Sequence, residues 1–114
     1  MPSGELNLSE YRGMWLFAMF DLPVQSKEDR HQYTVFRKEL RKLGFSMMQF
    51  SVHARYFPTE EASASYRKRV RAALPPDGQV RLLVITDKQF GKMEVFMGKK
   101  RTSAEEKPEQ MLLL

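Results

Sequence analysis

The chain has 114 residues, 42% of them hydrophobic, which suits one domain with a single core and argues against a disordered chain. It has no cysteine and two histidines, so a disulfide framework and thiolate chemistry are excluded and a structural zinc site is disfavoured. The formal charge is +5, but residues 11–101 hold 18 basic against 9 acidic residues, a net +9 between acidic ends. A body so charged favours a polyanionic partner, nucleic acid first, with an ordinary solvated basic surface as the alternative.

Residues 1–10 read as a polar extension without the basic and apolar regions of a targeting signal. No apolar run nears the roughly 20 residues that span a bilayer, so a cytoplasmic protein without membrane contact is expected. The run Met14-Trp15-Leu16-Phe17-Ala18-Met19-Phe20 is apolar at successive positions, the pattern of a central strand covered on both faces. It stops at Asp21-Leu22-Pro23, because proline cannot continue the ladder.

Ser26-Lys27-Glu28-Asp29 forms a capping box that opens a helix of about 17 residues. Tyr33, Phe36, Leu40 and Leu43 line its inner face, Gly44 ends it, and Arg30, Arg37, Lys38 and Arg41 take the opposite side. Residues 45–57 are too long for one strand and are read as two short strands with a bend near 49–52, although no Asn-Gly or Gly-X pair marks a turn.

Thr59 caps a second helix with Glu60 and Glu61 in its first turn and Ala62, Tyr66, Val70 and Ala73 inward. Leu74-Pro75-Pro76 ends that helix and Asp77-Gly78 turns the chain into a strand over residues 79–86. A shorter strand over 93–97 follows Gly91. Residues 99–110 read as a polar linker leading to Met111-Leu112-Leu113-Leu114, an apolar tetrad suited to adding a strand to a sheet edge, its own or a partner's.

The order strand, helix, strand, strand, helix, strand predicts an α+β, ferredoxin-like βαββαβ fold over residues 11–98, with two helices on one face of an antiparallel sheet. One extra C-terminal strand follows it, and residues 99–114 form a tail.

On residue type alone, Asp21 reads as a cap for the loop before Pro23, or as a carboxylate presented from the end of a rigid strand. Asp77 and Asp87 fall at turns and offer it no evident acidic partner. His31 reads as a solvated helix residue, and whether His53 approaches Asp21 depends on where the bend lies. Ser51 either supports the Asp21 site by hydrogen bonding or satisfies backbone at the bend.

Arg67, Lys68, Arg69 and Arg71 stand within five residues without an acid among them, and Arg67 and Arg71 are one turn apart. Such groups, with Arg30, Arg37 and Arg41, suit spaced phosphates and position a nucleic acid without reading its sequence. Trp15 and Phe17 raise a rival, an RNA-recognition module that stacks bases on strand aromatics. The basic-glycine-aromatic-glycine strand motif expected of such a module is absent.

Four segments, in this order and spacing, resemble one family: Met19-Phe20-Asp21-Leu22-Pro23; Phe36-Arg37-Lys38 with Leu43-Gly44-Phe45; Gln49-Phe50-Ser51-Val52; and Thr86-Asp87-Lys88-Gln89-Phe90. They resemble the small CRISPR-associated adaptation proteins, the CRISPR-associated endoribonuclease family that partners the spacer integrase, in the form that accompanies single-effector systems. The resemblance implies a ferredoxin-like homodimer that helps capture foreign DNA as new spacers and bridges integrase dimers on double-stranded DNA. It also implies a Mg²⁺-dependent endonuclease activity, dispensable for integration, with Asp21 as catalytic residue and metal ligand and Ser51 as its hydrogen-bonding support. One carboxylate is too few for the octahedral oxygen shell of Mg²⁺, so Asp21 of a second subunit would complete the pair. Nucleic-acid contacts would fall to Arg30, Arg37, Arg41, Arg67, Lys68 and Arg71. Two other readings remain: a toxin-type metal-dependent endoribonuclease of the same fold, and a regulatory dimer without a nucleic-acid partner.

Overall fold

The computed structural model describes residues 13–106; the extension at 1–10 and the apolar tetrad at 111–114 lie outside the described residues. Strand β1 (Met14–Asp21) is central, because every second side chain has a separate core to enter. Leu16, Ala18 and Phe20 enter one core, and Trp15 and Phe17 enter the other. β1 pairs antiparallel with β3 (Val52–Phe57) and β4 (Gln79–Thr86), and β2 (Ser46–Gln49) pairs with β3. The sheet order β2-β3-β1-β4 is the ferredoxin-like arrangement that the element order predicts.

Helices α1 (Lys27–Lys42) and α2 (Glu60–Ala72) cover the first core. The predicted capping box opens α1: Asp29 N donates to Ser26 Oγ at 2.9 Å, and Ser26 N donates to Asp29 Oδ2 at 3.2 Å. Tyr33, Phe36 and Leu40 are buried below it, and Phe20 meets Phe36 edge-on at 5.2 Å between ring centroids. Thr59 Oγ1 caps α2 by accepting from Ala62 N at 3.2 Å. Ser63, like Val70, is buried on α2, and its hydroxyl is satisfied by donating to the Glu60 carbonyl at 2.7 Å.

The second core lies on the other sheet face. There a one-turn helix α3 (Asp87–Phe90) folds back over β1, where the sequence reading expected a turn at Asp87. A second capping box, between Thr86 and Gln89, starts it. Trp15 Nε1 donates to Asp87 Oδ1 at 2.9 Å, and the Phe90 ring stacks on the indole at 3.9 Å, 9° from parallel.

The bend predicted near 49–52 is a turn at Phe50-Ser51. Among the described residues only glycines have positive φ, so the tight primed hairpin turns are closed to this pair. The register instead shifts between Met47 and Gln49, and this bulge takes up the extra residue. At the other end, the predicted strand over 93–97 is β5 (Val95–Met97), which pairs with β6 (Lys100–Thr102) in a separate two-stranded sheet. β6 lies in the stretch read as linker. It is exposed along its length and so lacks the apolar alternation that marks a strand in sequence.

Candidate functional site

Asp21 is exposed at the last position of β1, with its backbone held from three sides. Phe20 N donates to the Ser51 carbonyl at 3.0 Å, Asp21 pairs across the sheet with Gln79, and the turn at Gly78 crosses close above. A Cβ at Gly78 would lie 2.8 Å from the Asp21 carbonyl oxygen and 2.7 Å from Leu22 Cδ2, and its φ of +96° also favours glycine. The carboxylate is therefore presented from a fixed frame. It borders an open depression of about 220 Å³ lined also by Met19, Ser51, Val52, Gln79 and Arg81.

Arg81 escaped the sequence reading. It sits in this depression with Nε donating to Gln79 Oε1 at 3.2 Å. The signal was available in the alternation Gln79, Arg81, Leu83, which sets a cation two residues from the position that pairs with Asp21. A carboxylate and a guanidinium at one rim offer a phosphate both a divalent-cation ligand and a direct partner.

Ser51 lines the same depression, and its side chain bonds another side chain rather than backbone at the bend: Ser51 Oγ and Tyr33 Oη share a hydrogen bond at 3.0 Å that ties the hairpin to α1. His53 pairs opposite Ala18, and is buried with its ring 5.4 Å from that of Phe20. Asp21 alternates with Met19 and Phe17 toward the other face, so the sheet separates the two. Burial first, then the charges of Arg37 and Arg41, hold the His53 imidazole below its ordinary pKa. His31 is exposed on α1.

Among the described residues no three of His, Cys, Asp or Glu gather as a metal site. Asp21 is thus one oxygen donor group where Mg²⁺ needs an octahedral set, and a single chain does not fit that ion by itself.

The basic residues lie on the outer side of the helical layer, but they are not equivalent. Arg41, Lys68 and Arg71 are exposed. Arg30 Nη1 donates to the carbonyls of Val24 and Gln25 at 3.2 and 3.0 Å, bracing the loop before α1. Arg37 is half-buried with its guanidinium 4.6 Å from the Phe50 ring centroid and Nη2 3.4 Å from Met47 Sδ. Arg67 Nη1 donates to Ser63 Oγ at 3.0 Å. Two ion pairs join acids to bases among the described residues, Lys42 with Glu39 and Arg101 with Glu94, so most of this positive charge is uncompensated.

The aromatic alternative loses its platform. Trp15 and Phe17 are 4% and 6% exposed, and Phe90 occupies a face of the indole. No helix among the described residues is long and apolar enough to cross a membrane.

The family described as CRISPR associated protein Cas2 matches residues 14–93, from the start of β1 to just beyond α3. A CRISPR-associated endoribonuclease Cas2 from Flavobacterium psychrophilum is 43% identical over 107 residues, covering 94% of this chain and 92% of the relative. The protein of that name from Parvibaculum lavamentivorans is 45% identical over 100 residues, covering 88% of this chain and 99% of the relative. With the ferredoxin-like sheet and an exposed aspartate at the end of its central strand, these matches establish that the chain belongs to the CRISPR-associated Cas2 family.

Proposed function

We propose that the chain serves CRISPR adaptation as a cytoplasmic homodimer that binds double-stranded DNA without reading its sequence and bridges spacer-integrase dimers. The observation that carries this reading is the uncompensated basic surface of the helical layer, where Arg41, Lys68 and Arg71 remain exposed in a chain of a CRISPR-associated family. Fixed cations without base-reading geometry position phosphates and release counterions, so affinity should fall steeply as salt rises. Dimerisation is supported by the incompletely covered second sheet face: Leu83 is 45% exposed there, beside the partly buried Met19, Val52 and Ile85. A second copy would remove that apolar surface from water.

A second reading has its own support. The relatives are named endoribonucleases, and Asp21 stands exposed beside Arg81 as a phosphodiesterase would require. On this reading Asp21 from both subunits holds Mg²⁺, which when bound supplies charge stabilisation at the phosphate. Arg81 would orient the substrate phosphate.

A spacer-acquisition assay with wild type, Asp21→Ala and the Lys68→Ala/Arg71→Ala double variant tests the adaptor role. Acquisition should survive Asp21→Ala and fail in the double variant; loss with Asp21→Ala alone would overturn it. Cleavage of RNA and duplex DNA with and without chelator tests the second reading, which fails if Asp21→Ala retains metal-dependent turnover.

A further inference from the structure

Arg55 and Arg69 converge on one tyrosine. The Arg55 guanidinium carbon lies 4.2 Å from the Tyr66 ring centroid and that of Arg69 lies 4.8 Å from it. Neither guanidinium has an acidic partner among the described residues. One arginine on a tyrosine is an ordinary cation–π contact. Two on the same ring repel each other, and that repulsion is relieved when an anion sits between them.

The group is accessible and pre-organised. Arg69 is exposed, and Arg55 and Tyr66 are partly so. Arg55 is anchored where α1 ends, its Nη1 donating to the Leu43 carbonyl at 2.7 Å, and it also lies 4.8 Å from the Phe57 ring centroid. A Cβ at Gly44 would come within 2.9 Å of that nitrogen, so the missing side chain keeps the passage for Arg55 open. A guanidinium already fixed by a carbonyl and two rings loses little freedom on binding a ligand. The neighbourhood also favours negative oxygen: hydrogen bonding and charge from Arg55, then the charge of Arg69, draw the Tyr66 phenol below its ordinary pKa.

We propose that Arg55, Tyr66 and Arg69 form a phosphate-binding site at the α1–α2 side of the domain, and that its ligand is a backbone phosphodiester of nucleic acid. The planar guanidiniums supply paired N–H donors for phosphate oxygens and the phenol adds a third polar group. The ligand's identity rests on the duplex-binding reading above; the existence of the site does not.

The test uses the full chain with ¹³Cζ-labelled tyrosine, a short blunt DNA duplex and, separately, inorganic phosphate, with Tyr66→Phe assigning the resonance. Duplex affinity is followed independently by fluorescence anisotropy across a salt series. Duplex should raise the Tyr66 pKa, because an added anion opposes phenolate formation, at phosphate-group concentrations where inorganic phosphate has no effect. Arg69→Gln should weaken duplex binding several-fold and make the salt slope shallower by about 1. Tyr66→Phe, which keeps the ring, should weaken binding less. If wild type binds duplex but the Tyr66 resonance stays put and Arg69→Gln matches wild type in affinity and slope, the site is refuted and the duplex reading stands. If duplex does not bind while inorganic phosphate shifts Tyr66 in an Arg69-dependent way, the site is upheld and its phosphodiester assignment is overturned.

Discussion

Replacing Phe90 by alanine tests the second core, whose covering helix α3 the sequence pattern did not reveal. Phe90 is 2% exposed, stacked on Trp15 at 3.9 Å, and 6.0 Å from the Phe17 ring. Truncating a buried phenylalanine costs about 3–5 kcal/mol, depending on how far the surroundings collapse into the space. α3 is a single turn and can settle toward the gap, so we expect the lower end, about 3 kcal/mol. Roughly 1 kcal/mol of that belongs to the stacked pair itself. For a domain stable by about 5–15 kcal/mol this is a large share. Trp15 is the sole tryptophan, so urea unfolding followed by its fluorescence reports the affected place directly. Protein concentration must be held fixed, since any self-association would add to apparent stability. The midpoint should drop and the folded-state emission should move to the red as the indole meets water. A loss below about 1 kcal/mol with unmoved emission would show that α3 is not seated on β1.

Three further outcomes follow from single sites. His53 has a folded pKa below the roughly 6.5 of the unfolded chain, so the unfolded state binds more protons between the two values. Stability is therefore full above about pH 6.5 and falls as pH drops through that window, by at most about 1.4 kcal/mol per pH unit. His53→Phe should flatten that part of the profile in denaturant titrations, and an unchanged slope would contradict the assignment. Gly78→Ala combines a positive φ with contacts of 2.7 and 2.8 Å to Leu22 and Asp21. It should cost about 2 kcal/mol and displace the Asp21 amide resonance, whereas wild-type melting would show that the turn does not press on β1. Arg37→Gln should lower stability by about 0.5–1 kcal/mol with little change in the salt slope of duplex binding, while Arg71→Gln should do the reverse. Equal effects of the two on the slope would mean that Arg37 leaves Phe50 to bind phosphate.

β1, β4 and both long helices were legible because each has an apolar run or a helical period and a marked end, among them the Ser26 box, the Thr59 cap, the proline pair at 75–76 and the turn at Gly78, whereas β2 and β3 were separable only by length. α3 was not legible. Four residues carry no helical period, and its purpose is to cover a tryptophan that is 72 positions away in sequence. The β5–β6 hairpin was half legible, since its second strand has three exposed residues and no buried face to impose alternation. Position alone left Asp21 open between a loop cap and a carboxylate presented from a buried strand, and only the family resemblance singled it out; Arg81 went unread because the relation between them exists only through the β1–β4 register.

The same dependence on register governs what else can join Asp21. β3 enters the ladder with Val52 opposite Met19, which sends Ala54 and Tyr56 to the α3 side and puts His53 and Phe57 beneath the helices. Sliding that register by one residue would exchange the two sets and bring His53 round to the Asp21 face. What forbids the slip is burial on both sides: Phe57 fills the first core and Tyr56 the second, and neither environment accepts the other's neighbours. The turn at Phe50-Ser51, pinned by Tyr33 and by the Phe20 amide, then fixes the starting point. Asp21 is consequently left without a histidine by the packing of the whole sheet rather than by local chemistry. Any reaction at its depression must draw further groups from Arg81, from a bound cation, or from a second subunit. In the proposed dimer, the exposed Leu83 and the partly buried Met19 and Val52 of this sheet face would receive that subunit. The surface that would complete the site is thus the same surface whose apolar burial would hold the dimer together.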